Sequence, residues 1–183
     1  KYAYEIIFVD DASNNVDTWN TLIKLSSNFT EVKCYRLMRN FGQQAATLCG
    51  MEQSKGVYII TMDDDLQHRP TDIPRLLDNK NHDIVIAQFQ ERQHSYLKRL
   101  SSKIKGYFDH IALGKPKDIQ LSAFRLMSRK VIDGMLQIKT PYPFIPAMMF
   151  YVTKDIKGID VTHDTRHEGV SGYTLKKLIK LFT

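Results

Sequence analysis

An α/β domain on a mostly parallel sheet is what the sequence predicts, and three observations predict it. Short apolar runs rich in Val, Ile and Tyr alternate with segments of helical period. The runs are continuous, as in strands buried on both faces, and acidic residues gather where two of them end. In order, "YEIIFV" (4 to 9) reads as a strand, "NVDTWNTLIKLSSN" as a helix and "VKCYRLM" (32 to 38) as a second strand. Then come "GQQAATLCGMEQSKG", a helix stopped by Gly56, the strand "VYIITM" (57 to 62) and the strand "DIVIA" (83 to 87). Strand, helix, strand, helix, strand gives parallel neighbours.

A chain of 183 residues fits one domain that buries about 70% of its unfolded surface, with no need of staples. Hydrophobic content of 43%, charged content of 25% and a mean hydropathy of -0.33 describe a soluble globular domain. No apolar run approaches the roughly 18 residues of a membrane span. Cys34 and Cys49 sit in apolar contexts that read as core, and two thiols make no disulfide framework, so a reducing cytosolic setting is expected. The chain opens on "KYAYEIIFVDD", straight into a strand, as though a domain had been entered part-way, with something preceding Lys1.

The net charge of +6 is concentrated: residues 92 to 117 hold Arg92, Lys98, Arg99, Lys103, Lys105, Lys115 and Lys117 against Asp109 alone. Within that segment, residues 94 to 113 read as a basic amphipathic helix, with Leu97, Leu100, Ile104 and Ile111 on one face and cations on the other. Residues 171 to 182 repeat the pattern, setting Leu175, Leu178, Ile179 and Phe182 against Lys176, Lys177 and Lys180. Such helices pack on a sheet or lie on an anionic membrane surface. The cations are not interleaved along a nucleic-acid-binding motif, which argues against nucleic acid as a partner.

In parallel sheets ligands bind beyond the carboxyl ends of the strands. Asp10 and Asp11 end the first strand and Asp63, Asp64 and Asp65 end the third, so both clusters are expected at one crevice. On an extended strand end Asp63, Asp65 and Gln67 share one side, which suits a hard divalent cation that keeps water and phosphate oxygens as its other ligands. Without a cation the carboxylates would raise one another's pKa. A solvated acidic turn is the alternative reading of the triplet alone.

Four stretches in this order, "VDDASNNVDT", "RNFGQQAATLCGMEQSKGVYIITMDDDLQHRP", "LSAFRLMSR" and "RHEGVSGY", resemble the family 2 glycosyltransferases of GT-A fold, a three-layer Rossmann-like domain. Within that family the chain looks most like the polyprenyl-phosphate sugar transferases related to dolichyl-phosphate mannose synthase. The similarity covers essentially the whole chain. It implies that Asp10 and Asp11 hold the base or ribose of a nucleotide-sugar and that "DDDLQ" is the family's DxD element. Asp63 would face the ribose or sugar, and Asp65 and Gln67 would ligate the Mg²⁺ or Mn²⁺ that bridges the diphosphate. Arg125, Arg166 and Ser171 of R-x-x-G-x-S would surround phosphates, and Asn40 belongs to the family's N-x-G turn. Gly42 in that turn reads as a backbone bend. Of six histidines, His68, His163 and His167 lie beside these motifs, and each reads as surface or structural.

Two departures stand out. The strand that in relatives ends in a proline, tyrosine, asparagine and glutamate turn has no counterpart before Lys1, and a domain without it should bind donor poorly. Ala123 stands where many relatives carry an acidic residue proposed as base, leaving Asp118 as the nearest acid. The resemblance implies a metal-dependent inverting transfer of a sugar from a nucleoside diphosphate to a polyprenyl phosphate, in cell-envelope or surface-glycan synthesis. It places the enzyme in the cytoplasm, at the inner face of the membrane. The alternatives are a soluble glycan acceptor, or a nucleotide-binding module without turnover.

Overall fold

The computed structural model describes residues 2–89, 116 and 118–161. The expected basic helices over 94–113 and 171–182, with Arg166, Ser171, His163 and His167, lie outside the described residues. The elements run β1 (Ile6–Asp10), α1 (Val16–Asn28), β2 (Val32–Arg36), α2 (Gln43–Gln53) and β3 (Tyr58–Thr61). A 3₁₀ turn (Pro70–Asp72) leads into α3 (Ile73–Leu77) and β4 (Ile84–Phe89). β5 (Arg125–Ser128), α4 (Arg129–Leu136), α5 (Ile145–Val152) and β6 (Ile156–Val161) follow.

β1 and β2 pair in parallel, Ile6 opposite Val32 through Asp10 opposite Arg36. A second sheet has the order β3-β5-β4-β6, in which β4 and β6 are parallel. The sheet is mostly parallel in direction, as expected, with β3, β4 and β6 running one way and β5 alone antiparallel to both its neighbours. The reason is local. Ala123 and Phe124, just before β5, stand at the end where β4 leaves, since Ala87 N–H donates to the Phe124 carbonyl (2.9 Å) and Thr61 Oγ1 to the Ala123 carbonyl (2.7 Å). A strand re-entering from that end must run back against its neighbours.

Asn15 caps α1 by accepting from Asp17 N–H, and Asp17 lies in the first turn, where a negative charge suits the helix dipole. α2 starts at Gly42, whose φ of 94° and ψ of 157° only glycine adopts readily; a Cβ there would meet nothing within 4 Å, so the backbone angle alone demands the residue. The far end corrects the expectation for Gly56. The helix already ends at Gln53, where the Ser54 amide and hydroxyl both reach the Met51 carbonyl, and the Gly56 carbonyl accepts from the Arg129 guanidinium instead.

The core sits on the second sheet. Residues 84 to 87 are wholly buried and alternate between its faces. Ile84 and Ile86 join Ile59, Met127, Val131, Ile132, Met135, Ile145 and Met149 under α4 and α5. Val85 and Ala87 join Leu76, Phe124, Leu126 and Val161 on the other side. The first sheet differs: no residue of α1 is buried, and Asp10 is the one buried residue of β1 and β2. A cavity of about 300 Å³ lined by Tyr4, Ile6, Phe8, Leu25, Phe29, Glu31 and Val32 opens there. Among the described residues no strand pairing joins β1 to β3, so each of these strands keeps one unpaired edge. Cys34 and Cys49 are half-buried free thiols, pushed up in pKa by desolvation.

Candidate functional site

At the end of β1 the two acids take different tasks. Asp10 is 4% exposed; its Oδ1 accepts Ser13 N–H (2.9 Å), and Arg36 Nε lies 3.1 Å from Oδ2. Burial alone would raise its pKa, but the Ser13 hydrogen bonds and the Arg36 charge outweigh it and hold the carboxyl below the usual range. Asp11 turns toward α2, where its two oxygens accept Phe41 N–H (2.8 Å) and Gly42 N–H (2.7 Å), while Asn40 Nδ2 donates to its carbonyl (3.2 Å). The anion at this helix start is therefore Asp11 itself. A carboxylate has about four lone-pair sites, so both oxygens retain capacity toward a ligand.

The acidic stretch is not a strand. β3 stops at Thr61 and residues 62 to 68 form a bent loop with Leu66 at a φ of 62°. The expected alternation nonetheless survives in exposure: Thr61, Asp63, Asp65 and Gln67 are half-buried, while Met62, Asp64 and Leu66 face solvent. Turn hydrogen bonds replace the pleat as its cause. Asp65 Oδ1 accepts Gln67 N–H (3.1 Å), and Asp63 N–H donates to His68 Nδ1 (2.9 Å). Among the described residues, Ala12 (φ 54°) and Leu66 are the two non-glycine residues with positive φ, and each follows an acidic cluster. Backbone held in that region points to a geometry the surroundings enforce.

The two clusters meet through α2. Gly42 binds Asp11 and the next residue, Gln43, donates from Nε2 to Asp63 Oδ1 at 2.7 Å. Burial pushes the Asp63 carboxyl up in pKa, Asp65 and Asp64 add to the rise, and the attraction of Arg125 does not cancel it. Asp63 therefore keeps its proton to a higher pH in the folded than in the unfolded chain, and stability falls as pH rises through that window. Asp63→Asn, which keeps an oxygen for Gln43, is expected to raise the melting temperature of the metal-free protein at neutral pH and to lose that advantage in Mn²⁺ with nucleotide. Calorimetry checks it; an unchanged or lower metal-free melting temperature would contradict it.

Arg125, 5% exposed at the start of β5, reaches Thr61 Oγ1 (3.3 Å) and the Met149 sulfur (3.3 Å), both poor partners for a guanidinium. Burial lowers its pKa to about 10, Asp63 opposing. It is still charged at neutral pH, and a buried cation held by weak acceptors is suited to an incoming anion. Asp118 is different: exposed on a turn whose carbonyl accepts from Gln88 (3.3 Å), its carboxyl has no contact with Asp63 or Arg125 among the described residues.

Among the described residues no group of three or more His, Cys, Asp or Glu is placed to hold a metal alone. The donor set is hard oxygen from Asp65, Asp63 and Gln67, incomplete by itself, as fits Mg²⁺ or Mn²⁺ sharing its coordination with phosphate and water. Burial raises Asp63 first, and the repulsion from Asp65 and Asp64 that adds to it is what such a cation would relieve. Sequence reasoning missed Gln43, whose only signal is its place after the N-x-G turn, and missed that His68 is buried and bonded to the loop. A separate cavity of about 460 Å³, lined by Leu48, Glu52, Leu136 and Ile138 to Pro141, holds none of these residues.

With this geometry in hand, three likenesses are informative. An undecaprenyl-phosphate 4-deoxy-4-formamido-L-arabinose transferase from Proteus mirabilis is 33% identical over 182 residues, covering 97% of this chain and 55% of that protein. The chain thus spans about half the length of such relatives. The crystal structure of Mycobacterium tuberculosis glucosyl-3-phosphoglycerate synthase superposes with a TM-score of 0.64 at 14% identity, over 96% of this chain and 64% of that one. The same enzyme in complex with Mn²⁺ and UDP-glucose superposes with a TM-score of 0.57 at 17% identity, over 96% and 63%. These structures share the α/β fold. Residues 1–136 match the model of Glycosyl transferase family 2, and the chain belongs to that family.

Proposed function

We propose that this domain catalyses metal-dependent, inverting transfer of a sugar from a nucleoside diphosphate to a polyprenyl phosphate. The observation that carries the reading is the junction at α2, where Gly42 holds Asp11 and Gln43 holds Asp63, gathering both acidic clusters beside the buried Arg125. The acceptor class follows the Proteus mirabilis relative, an undecaprenyl-phosphate sugar transferase.

The acceptor phosphate oxygen attacks the anomeric carbon, the bond from that carbon to the diphosphate oxygen breaks, and the nucleoside diphosphate leaves with the electron pair. Because the acceptor is already anionic at neutral pH, no strong base is needed, which makes Ala123 and the exposed Asp118 tolerable. Asp10, Asp11 and Asn40 orient the nucleoside end. Asp63 faces the donor sugar, with Gln43 fixing its carboxylate. Asp65 and Gln67 would hold Mg²⁺ or Mn²⁺, which supplies charge neutralisation of the diphosphate. Arg125, with Arg166 and Ser171 from outside the described residues, adds fixed positive charge and hydrogen bonds around phosphates. Residues 94–113 and 171–182 rest the domain on the cytoplasmic face of the membrane; no helix among the described residues is long and apolar enough to cross one.

The reading includes a further strand between β1 and β3, supported by the two unpaired edges and the thinly buried first sheet. Amides of the β1 edge should exchange with deuterium quickly in the 183-residue chain and slowly in a chain that supplies the strand; equal rates would remove this part of the reading. Calorimetric titration of UDP, GDP and dTDP with Mn²⁺ tests the nucleotide site, and binding of none, even to the completed domain, would end the proposal. Flotation with anionic vesicles separates a lipid acceptor from a soluble glycan, for which the domain would ignore lipid.

A further inference from the structure

We propose that His68 is the positioning residue of the acidic loop, acting through its Nδ1 lone pair. This rests on the reading of residues 63 to 67 as donor and metal site, and deepens it. His68 is 7% exposed and its ring stacks on Phe124, centroids 5.3 Å apart and planes 25° from parallel. Phe124 is wholly buried and immediately precedes Arg125. The ring is thus pinned to the same segment that delivers the buried guanidinium.

From that anchor Nδ1 accepts the Asp63 amide at 2.9 Å, closing residues 63 to 68 into a loop with both ends fixed. Inside the loop Asp65 Oδ1 holds the Gln67 amide, and Leu66 stays at a φ of 62° that leucine does not choose unaided. Gln43 fixes the Asp63 carboxylate from the other side. The imidazole therefore sets where the backbone of Asp63 begins, and with it the separation of Asp63 and Asp65 from Arg125. What position 68 must supply is an acceptor three bonds from Cα. An asparagine Oδ1 occupies the same branch as Nδ1; a phenylalanine keeps the stack on Phe124 and offers no acceptor.

The test pairs His68→Phe with His68→Asn in the full chain, measuring transfer from a nucleotide-sugar with Mn²⁺. His68→Phe should stay folded yet lose kcat by on the order of 100-fold, the scale of a misplaced reacting group, while His68→Asn keeps most of it. Wild-type kcat in His68→Phe, or equal impairment in both variants, would overturn the assignment. A second arm needs no turnover. Nitrogen NMR of the wild type should find Nδ1 without a proton and the Asp63 amide protected from exchange, with protection lost in His68→Phe; a proton on Nδ1 would refute the proposal. Absent transfer by the wild type, even in a chain that supplies the further strand, would instead undo the enzyme reading and leave the NMR arm to decide.

Discussion

Asp65→Asn is expected to lower metal-dependent sugar transfer by on the order of 1000-fold without unfolding the domain. The choice of asparagine follows from the turn: Asp65 Oδ1 accepts the Gln67 amide at 3.1 Å, and an amide oxygen can continue to do so. What disappears is charge. Asp65→Ala removes both, so if charge is what matters the two variants should be similarly inactive while alanine alone loosens the loop at Leu66. Nucleotide release followed against Mn²⁺ concentration, with circular dichroism melts, separates the effects. Full activity in Asp65→Asn would remove this residue from the metal site.

Arg125→Met is expected to uncouple stability from activity. Burial lowers the guanidinium pKa to about 10, which means that its charge is unfavourable in the folded chain even after the attraction of Asp63. The sign is that of a depressed base. The penalty is fully present at neutral pH and is relieved only as pH rises above the folded value. A methionine of similar length beside Met149 removes the buried charge, so melting temperature should hold or rise. Transfer should fall by roughly 100-fold or more, because a preorganised cation near the departing diphosphate is lost. Parallel thermal melts and steady-state kinetics at neutral pH test this; retained kcat with a lowered melting temperature would make Arg125 a structural residue.

Much of this was legible before any coordinates, and the misses have physical causes. Residues 83 to 87 read as a strand buried on both faces because Ile84 and Ile86 must meet one layer and Val85 and Ala87 the other, and they do. The parity of Asp63, Asp65 and Gln67 was readable, although its cause is a turn rather than a pleat. β5 escaped because "RLMS" is too short to carry a period, and its direction depends on hydrogen bonds from Ala87 and Thr61 that no local pattern encodes. Gly56 misled because a glycine after a helix is the ordinary stop signal, whereas here Ser54 ends the helix. Gln43 was invisible as a site residue and His68, noted beside the motifs, read only as surface or structural, since their contacts lie in which backbone or carboxylate they touch across the fold. The family resemblance, carried by the ordered motifs, was borne out by the match over residues 1–136.

The thin burial of β1, β2 and α1 has a kinetic consequence. Among the described residues, Asp10 and Asp11 stand on a part with few buried side chains, so this part should open locally well below the free energy of global unfolding. A nucleotide gripping Asp11 and Asp63 together would stitch that part to the firm sheet, and its stabilisation would grow with ligand concentration over Kd. Protease nicks should accordingly cluster in the first 40 residues of the chain without nucleotide and fade as it is added, while residues 118–161 resist throughout.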